Sequence, residues 1–327
     1  MNGQITSEKI FKNLDEQVQI FKDKGLTIEN NEITKKKLLR ENYFFINGYR
    51  YLFMESRVNK RFVKGSTFDE LYATFKFDRN LRNLVFKNIL MIENNIKSII
   101  SYQLSKKYGY KEDNYLDEKN FTNDPLQVRQ VKDVLNKVRR QIRVNSQKHS
   151  ATQHYANNYG YIPMWVLVKV LSFGLVSELY NILRDEDQKH INNCYRINTE
   201  NFSIYLSVLS NYRNLCAHED IMYDYRTQKV ILDNPIHKYL NIPVSDGEYI
   251  YGKNDLCALF MIFKFMLDDS EYQTFMNDVK KEIENLDAIV NSVPLNRILN
   301  HMGLPDNWQS ILDYKLEEKC VMDDYYK

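Results

Sequence analysis

Residues 211–219 read NYRNLCAHE: an arginine, an asparagine one step on, and a histidine five steps after the arginine. These side chains suit one kind of chemistry. An imidazole near its ordinary pKa takes or gives a proton at neutral pH. A guanidinium grips a phosphate through two hydrogen bonds and stabilises charge developing on it. An asparagine amide can fix the imidazole's orientation. Together they fit cleavage of an RNA phosphodiester by attack of its own 2′-hydroxyl, which needs no metal. Arg213, Asn214 and His218 are therefore the candidate catalytic residues.

Spacing alone is weak evidence, because the pairs Arg143–His149 and Arg184–His190 are spaced similarly. Only the first pair adds a following asparagine, small residues before the histidine, and an arginine on an apolar helix face. At 100° per residue, Phe202, Tyr205, Leu206, Leu209, Tyr212 and Cys216 fall within about a third of a helix circumference. Arg213 falls near the centre of that stripe. A guanidinium there requires a partner or an open cleft, so a working site and a buried ion pair both stand as readings. Arg213 and His218 would lie more than about 90° apart on an ideal helix. They share a site only if the helix ends or bends between them, or if the arginine reaches around.

The elements that must hold this motif are helical. Thr199 is a cap for its helix. The longest periodic stretch is 66–109, with Ser66 or Thr67 as cap, Asp69 and Glu70 in the first turn and Gly109 at the end; a break is expected near Phe77–Asp78. Residues 161–183 read as one buried helix starting at Pro163, in which Gly174 permits close helix contact. Residues 5–24 form a polar helix, Asn31 or Thr34 caps a short one, and an aromatic-rich turn follows through Asn47–Gly48. Residues 110–125 read as a loop, 229–232 as a short β piece, 241–254 as a linker, and 255–290 and 295–313 as terminal helices. The polar tail, 316–327, is expected to fray.

The totals narrow the class. A chain of 327 residues with 43% apolar and 27% charged residues has ample core for a folded domain. With 10 Gly and 6 Pro it suits a mostly helical fold. The net charge of +2 excludes a protein that is basic throughout, so any nucleic-acid surface is local. The start carries no signal peptide, and Lys169 and Glu178 interrupt the longest apolar run, against a membrane span. Cys194, Cys216, Cys257 and Cys320 form no CxxC pair and read as free thiols of a reducing cytoplasm. No cofactor and no metal site are expected.

One segment is strongly basic. Residues 126–154 hold seven Lys or Arg against a single Asp. Arg129, Lys132, Lys137, Arg139, Arg140, Arg143 and Lys148 form the candidate RNA track, since each phosphate contact would make binding salt-sensitive. Arg79 and Arg82, one turn apart, are further phosphate candidates, although contacts within the fold explain them better. A second basic set is Arg57, Lys60, Arg61 and Lys64. Tyr43, Phe44, Phe45, Tyr49 and Tyr51 suit packing better than base stacking, and His154 reads as structural.

RNLCAH resembles the R-[NHDQ]-x(3–5)-H signature of HEPN (higher eukaryotes and prokaryotes nucleotide-binding) domains. Residues 42–53, 77–109, 163–180 and 211–219 are similar, in order and spacing, to the bacterial abortive-infection Abi family of the D/F type. The resemblance spans roughly 20–240. It implies an all-α HEPN-type bundle with additional N- and C-terminal helices: a domain over 1–240 and a helical extension over 241–327 packed on it. It implies a growth-arresting ribonuclease of phage defence, with Arg213 and His218 catalytic and Asn214 as the polar second position. The family carries an acid at Glu93, which would pair with Arg213. HEPN sites usually form where two motif copies meet, so a homodimer is implied, with an antitoxin RNA or protein as a further partner. The alternatives are a composite site within the chain using Arg143 or His149, and a non-catalytic module that holds a structured RNA.

Overall fold

The computed structural model describes residues 10–56 and 58–316. The start of the expected 5–24 helix, Arg57 of the second basic set, Cys320 and all but the first residue of the polar tail lie outside the described residues. Three short helices come first: α1 (Leu14–Asp23), α2 (Asn31–Glu41) and α3 (Tyr43–Asn47). Asn13 and Glu16 form a capping box for α1. The cap of α2 is Asn30, whose side chain accepts from Ile33 N–H, and not Asn31 or Thr34. Asn42, at φ 69°, turns the chain between α2 and α3 and accepts from Phe44 N–H.

The axis of the molecule is α4 (Phe68–Tyr108), 41 residues long, or about 60 Å at 1.5 Å per residue. Thr67 and Glu70 close a capping box at its start, and Gly109 at φ 98° ends it. Leu81, Val85, Ile89, Ile92, Ile96, Ile100 and Leu104 follow one another a turn apart and are fully buried. The break expected at Phe77–Asp78 is absent. Asp78 is buried, but Arg82 one turn on pairs with it, so a charge that looked like a helix terminator is neutralised inside the helix.

The central chain follows as α5 (Glu112–Tyr115), α6 (Val128–Asn145), α7 (Ser150–Tyr159), α8 (Met164–Leu167), α9 (Phe173–Asn181), α10 (Asp185–Asn193), α11 (Thr199–Ala217) and α12 (Pro235–Tyr239). The stretch 161–183 is therefore two helices and not one. Ser172 starts the second by accepting from Leu175 N–H. Val168, Val170 and Leu171 in the intervening turn are apolar, so nothing in the residue types marks the break. Gly174 brings α9 close to α11: a Cβ there would lie 3.3 Å from Ser210 Oγ.

The last part holds a hairpin of β1 (Val244–Ser245) and β2 (Glu248–Tyr249), then α13 (Leu256–Met266), α14 (Asp269–Asp287) and α15 (Leu295–Met302). The fold is all-α with one small β piece, placed at 244–249. Residues 229–232 form no strand, although Ile231 N–H donates to Lys253 C=O at 2.8 Å. The expected 241–254 linker is tied down through His237, which stacks on Tyr249 and meets Gly252 C=O at 2.8 Å. Helices α8, α10, α11 and α14 pack on α4, while α9 joins α11 to α6. One apolar core runs from Val18 to Ile311. Among the described residues, no helix is long and apolar enough to cross a membrane, and no cluster of three His, Cys, Asp or Glu could hold a metal.

Candidate functional site

Helix α11 carries the motif. Its cap is Asn198, accepting from Asn201 N–H, with Thr199 as the first helical residue. The helix runs straight through Arg213 and Asn214 and stops at His218, whose N–H donates to Asn214 C=O at 3.0 Å. Glu219 then takes the left-handed conformation, φ 56°. Its N–H reaches Cys216 C=O and that of Asp220 reaches Leu215 C=O, at 3.3 and 3.1 Å. This crossed pair is a Schellman closure. It leaves Asn214 and His218 exposed at the helix end.

Arg213 sits at the edge of the buried stripe and not at its centre. Val208 and Leu215 are also buried, which widens the stripe to about half the circumference and shifts its middle toward Tyr205 and Cys216. The Arg213 side chain is one-third exposed and lies 3.7 Å from the buried carboxylate of Glu93 on α4. Phe86 lies beneath it, 6.0 Å from ring centroid to Cζ. The Glu93 oxygen facing it and Arg213 Nε are both buried without a hydrogen bond. The other Glu93 oxygen accepts from Lys97 at 2.6 Å. One carboxylate thus steadies two cations without saturating either, and the ion-pair reading and the site reading meet in the same residue.

A buried knot on α4 holds the chain just beyond the motif. Asp78 accepts from Tyr49 at 2.6 Å and from Met222 N–H at 3.0 Å, and pairs with Arg82. Burial pushes the Asp78 carboxyl up, against the pull of Arg82. Arg82 also donates to Asp220 C=O at 3.2 Å. Arg79 is bound to Glu41 at 2.8 Å and approaches Glu219 at 3.9 Å; its hydrogen bond holds the Glu41 carboxyl below its usual range. Both arginines are engaged within the fold: Arg82 is buried and Arg79 two-thirds covered.

The basic segment forms α6, and its cations divide. Arg129, Arg140 and Arg143 share one exposed face, with Lys132 exposed on its flank, opposite the buried Val131, Val134, Leu135 and Val138. Lys137 is paired with Glu178 at 2.7 Å, and Arg139 donates to Leu116 C=O at 2.9 Å. Lys148 is exposed beyond the helix end. Lys60, Arg61 and Lys64 lie in the loop before α4. Of the early aromatics, Tyr49 is buried, whereas Phe44 and Phe45 are exposed.

Two features had no signal in the residue types. The rings of Tyr110, Tyr161, Tyr159 and Tyr155 follow one another at 5.4, 6.3 and 5.3 Å between centroids. A groove of about 380 Å³ lies between α4 and the α8 turn, lined by Glu93 and Lys97 on one side and by Trp165 and Lys169 on the other. Only spatial adjacency reveals either one.

A helical bundle built on one long buried helix, with an Arg-Asn-x3-His end facing a buried acid, defines a class that comparison makes specific. The model of the Abi-like protein family matches residues 36–224, more than half the chain, and the chain belongs to that family. The family's association is with abortive infection, an antiviral defence. No curated protein and no solved structure matches the chain.

Proposed function

We propose that this protein is a metal-independent endoribonuclease of abortive infection, in which two copies of the chain complete the site. The reading rests on Arg213, whose guanidinium leans on buried Glu93 with Nε free of hydrogen bonds and a third of the side chain exposed. A purely structural arginine so close to a buried acid would close its hydrogen bonds. One step on, Asn214 and then His218 stand in solvent. His218 takes the proton of an RNA 2′-hydroxyl, and that oxygen attacks phosphorus. Arg213 holds the charge on the phosphate, the 5′-oxygen leaves with a proton, and a 2′,3′-cyclic phosphate remains. On one helix Arg213 and His218 point about 140° apart, which favours a second copy supplying the complementary half. An antitoxin RNA or protein fits as the partner that keeps the enzyme silent.

The test uses protein purified without nuclease treatment and incubated with labelled total RNA in EDTA. Wild type cuts RNA to cyclic-phosphate ends, and His218→Ala does not, with an unchanged melting temperature because His218 is exposed. Equal cleavage by both proteins would reject the assignment. The basic face of α6 favours a second reading, a non-catalytic holder of a structured RNA. A discrete co-purifying RNA that neither protein cuts would establish that reading instead.

A further inference from the structure

We propose that the groove between α4 and the α8 turn is a nucleotide subsite for single-stranded RNA, with a base stacked on Trp165 and its phosphate held between Lys169 and Lys97. The proposal rests on the ribonuclease reading and names where the strand beside the cut would lie.

Three observations carry it. First, Trp165 is turned outward while its neighbours Met164, Val166 and Leu167 are buried, and its indole is 48% exposed. The other tryptophan, Trp308, is 2% exposed. A large apolar ring left half in water forgoes the burial that normally decides its place, and here it walls a groove. Second, the groove of about 380 Å³ is at the small end of the usual range for ligand sites, about 300–1,000 Å³, so it has room for one nucleotide. Its walls carry the groups a nucleotide uses: an aromatic face, the amide of Asn94 and the hydroxyl of Ser98, and an ammonium on each side. Third, the groove is joined to the motif through Glu93. This carboxylate holds Lys97 on the groove wall at 2.6 Å and Arg213 at 3.7 Å through its other oxygen. With Lys169 on the opposite wall, three cations stand against one acid along this line, and a phosphate chain suits that balance better than a neutral or acidic peptide.

The chain supplies its own probe, because one of its two tryptophans lines the groove and the other is buried. Intrinsic emission is followed while short single-stranded oligouridylate is added in EDTA, on the His218→Ala background so that the RNA stays whole. Filter binding of the same mixtures reports the complex independently. The expected result is quenching that saturates with the complex and is absent from Trp165→Phe, which places the response on Trp165. Trp165→Ala weakens binding about ten-fold, within the range for loss of one base–aromatic stack. Lys169→Glu weakens it too and flattens the loss with added salt. A complex formed without any change in emission, or a change retained in Trp165→Phe, overturns the groove and leaves the ribonuclease reading standing. Quenching by a duplex as strong as by the single strand also overturns it. Failure of the protein to bind or cut any RNA overturns both.

Discussion

Glu219 occupies a backbone well that glycine fills without strain. Its φ of 56° closes the motif helix, and a side chain there costs roughly 1 kcal/mol. Replacing it with glycine is expected to stabilise the protein by about 0.5–1 kcal/mol, read as a higher urea midpoint at unchanged slope. The lost approach to Arg79, 3.9 Å and largely exposed, is worth little. That a strained residue follows His218 directly shows how closely the helix end is specified: two bonds, from Arg82 to Asp220 C=O and from Met222 N–H to Asp78, hold the next residues regardless of that cost. At this scale the pairing of Arg213 with Glu93 was legible and the placement of Arg213 was not. The Arg-Asn-x3-His spacing and the acid at Glu93 were legible. The edge position of Arg213 was not, because it depends on Val208 and Leu215 being buried in the packed fold, which α11 alone does not determine.

Helix α6 is amphipathic in a way that predicts how RNA binding should respond to salt. Arg129, Arg140 and Arg143 lie on the face opposite the core. Single-strand binding loses a slope of about 0.7 per neutralised phosphate. Changing these three to glutamate is therefore expected to flatten the plot of log affinity against log salt by about 2, while Lys137, already paired with Glu178, contributes far less. An unchanged slope would remove α6 from the RNA track. Elements were legible where their ends were marked by chemistry. The capping box of Thr67 and Glu70 and the terminal Gly109 delimit α4 in the sequence itself. The division of 161–183 was hidden, because Val168, Val170 and Leu171 pack inside whether they turn or continue a helix. The β piece was misplaced for a similar reason: Val230 and Ile231 have the residue types of a strand, but the bond from Ile231 N–H to Lys253 C=O does not extend into a ladder.

The stability of the whole molecule should carry the signature of one buried acid. Asp255 caps α13, accepting from Ala258 N–H and from Gly252 N–H at 3.0 Å, and burial raises its carboxyl from the ordinary 3.8 to about 6. The folded protein thus holds this proton more tightly than the unfolded chain. The stabilisation is complete below the unfolded value and is lost as pH rises through about 6. A shift of that size corresponds to about 2–3 kcal/mol. Urea unfolding from about pH 4 to 7 should therefore show wild type losing stability relative to Asp255→Asn as pH rises. Parallel curves would place the group's titration elsewhere.

The reach of α4 has a consequence for how the protein is made. Asp78 receives its backbone partner from residue 222, and Glu70 takes the N–H groups of Asn291 and Ser292 at 2.7 Å each. These partners are translated long after the helix itself, and α14, which covers one of its flanks, comes later still than the motif. A nascent chain that has just delivered His218 to the tunnel exit therefore holds an acid at Asp78 lacking its Met222 bond and a helix with an open apolar side. The helix gains its last backbone partners only once residues 291 and 292 are made, so a chain released before then carries Glu70 without them.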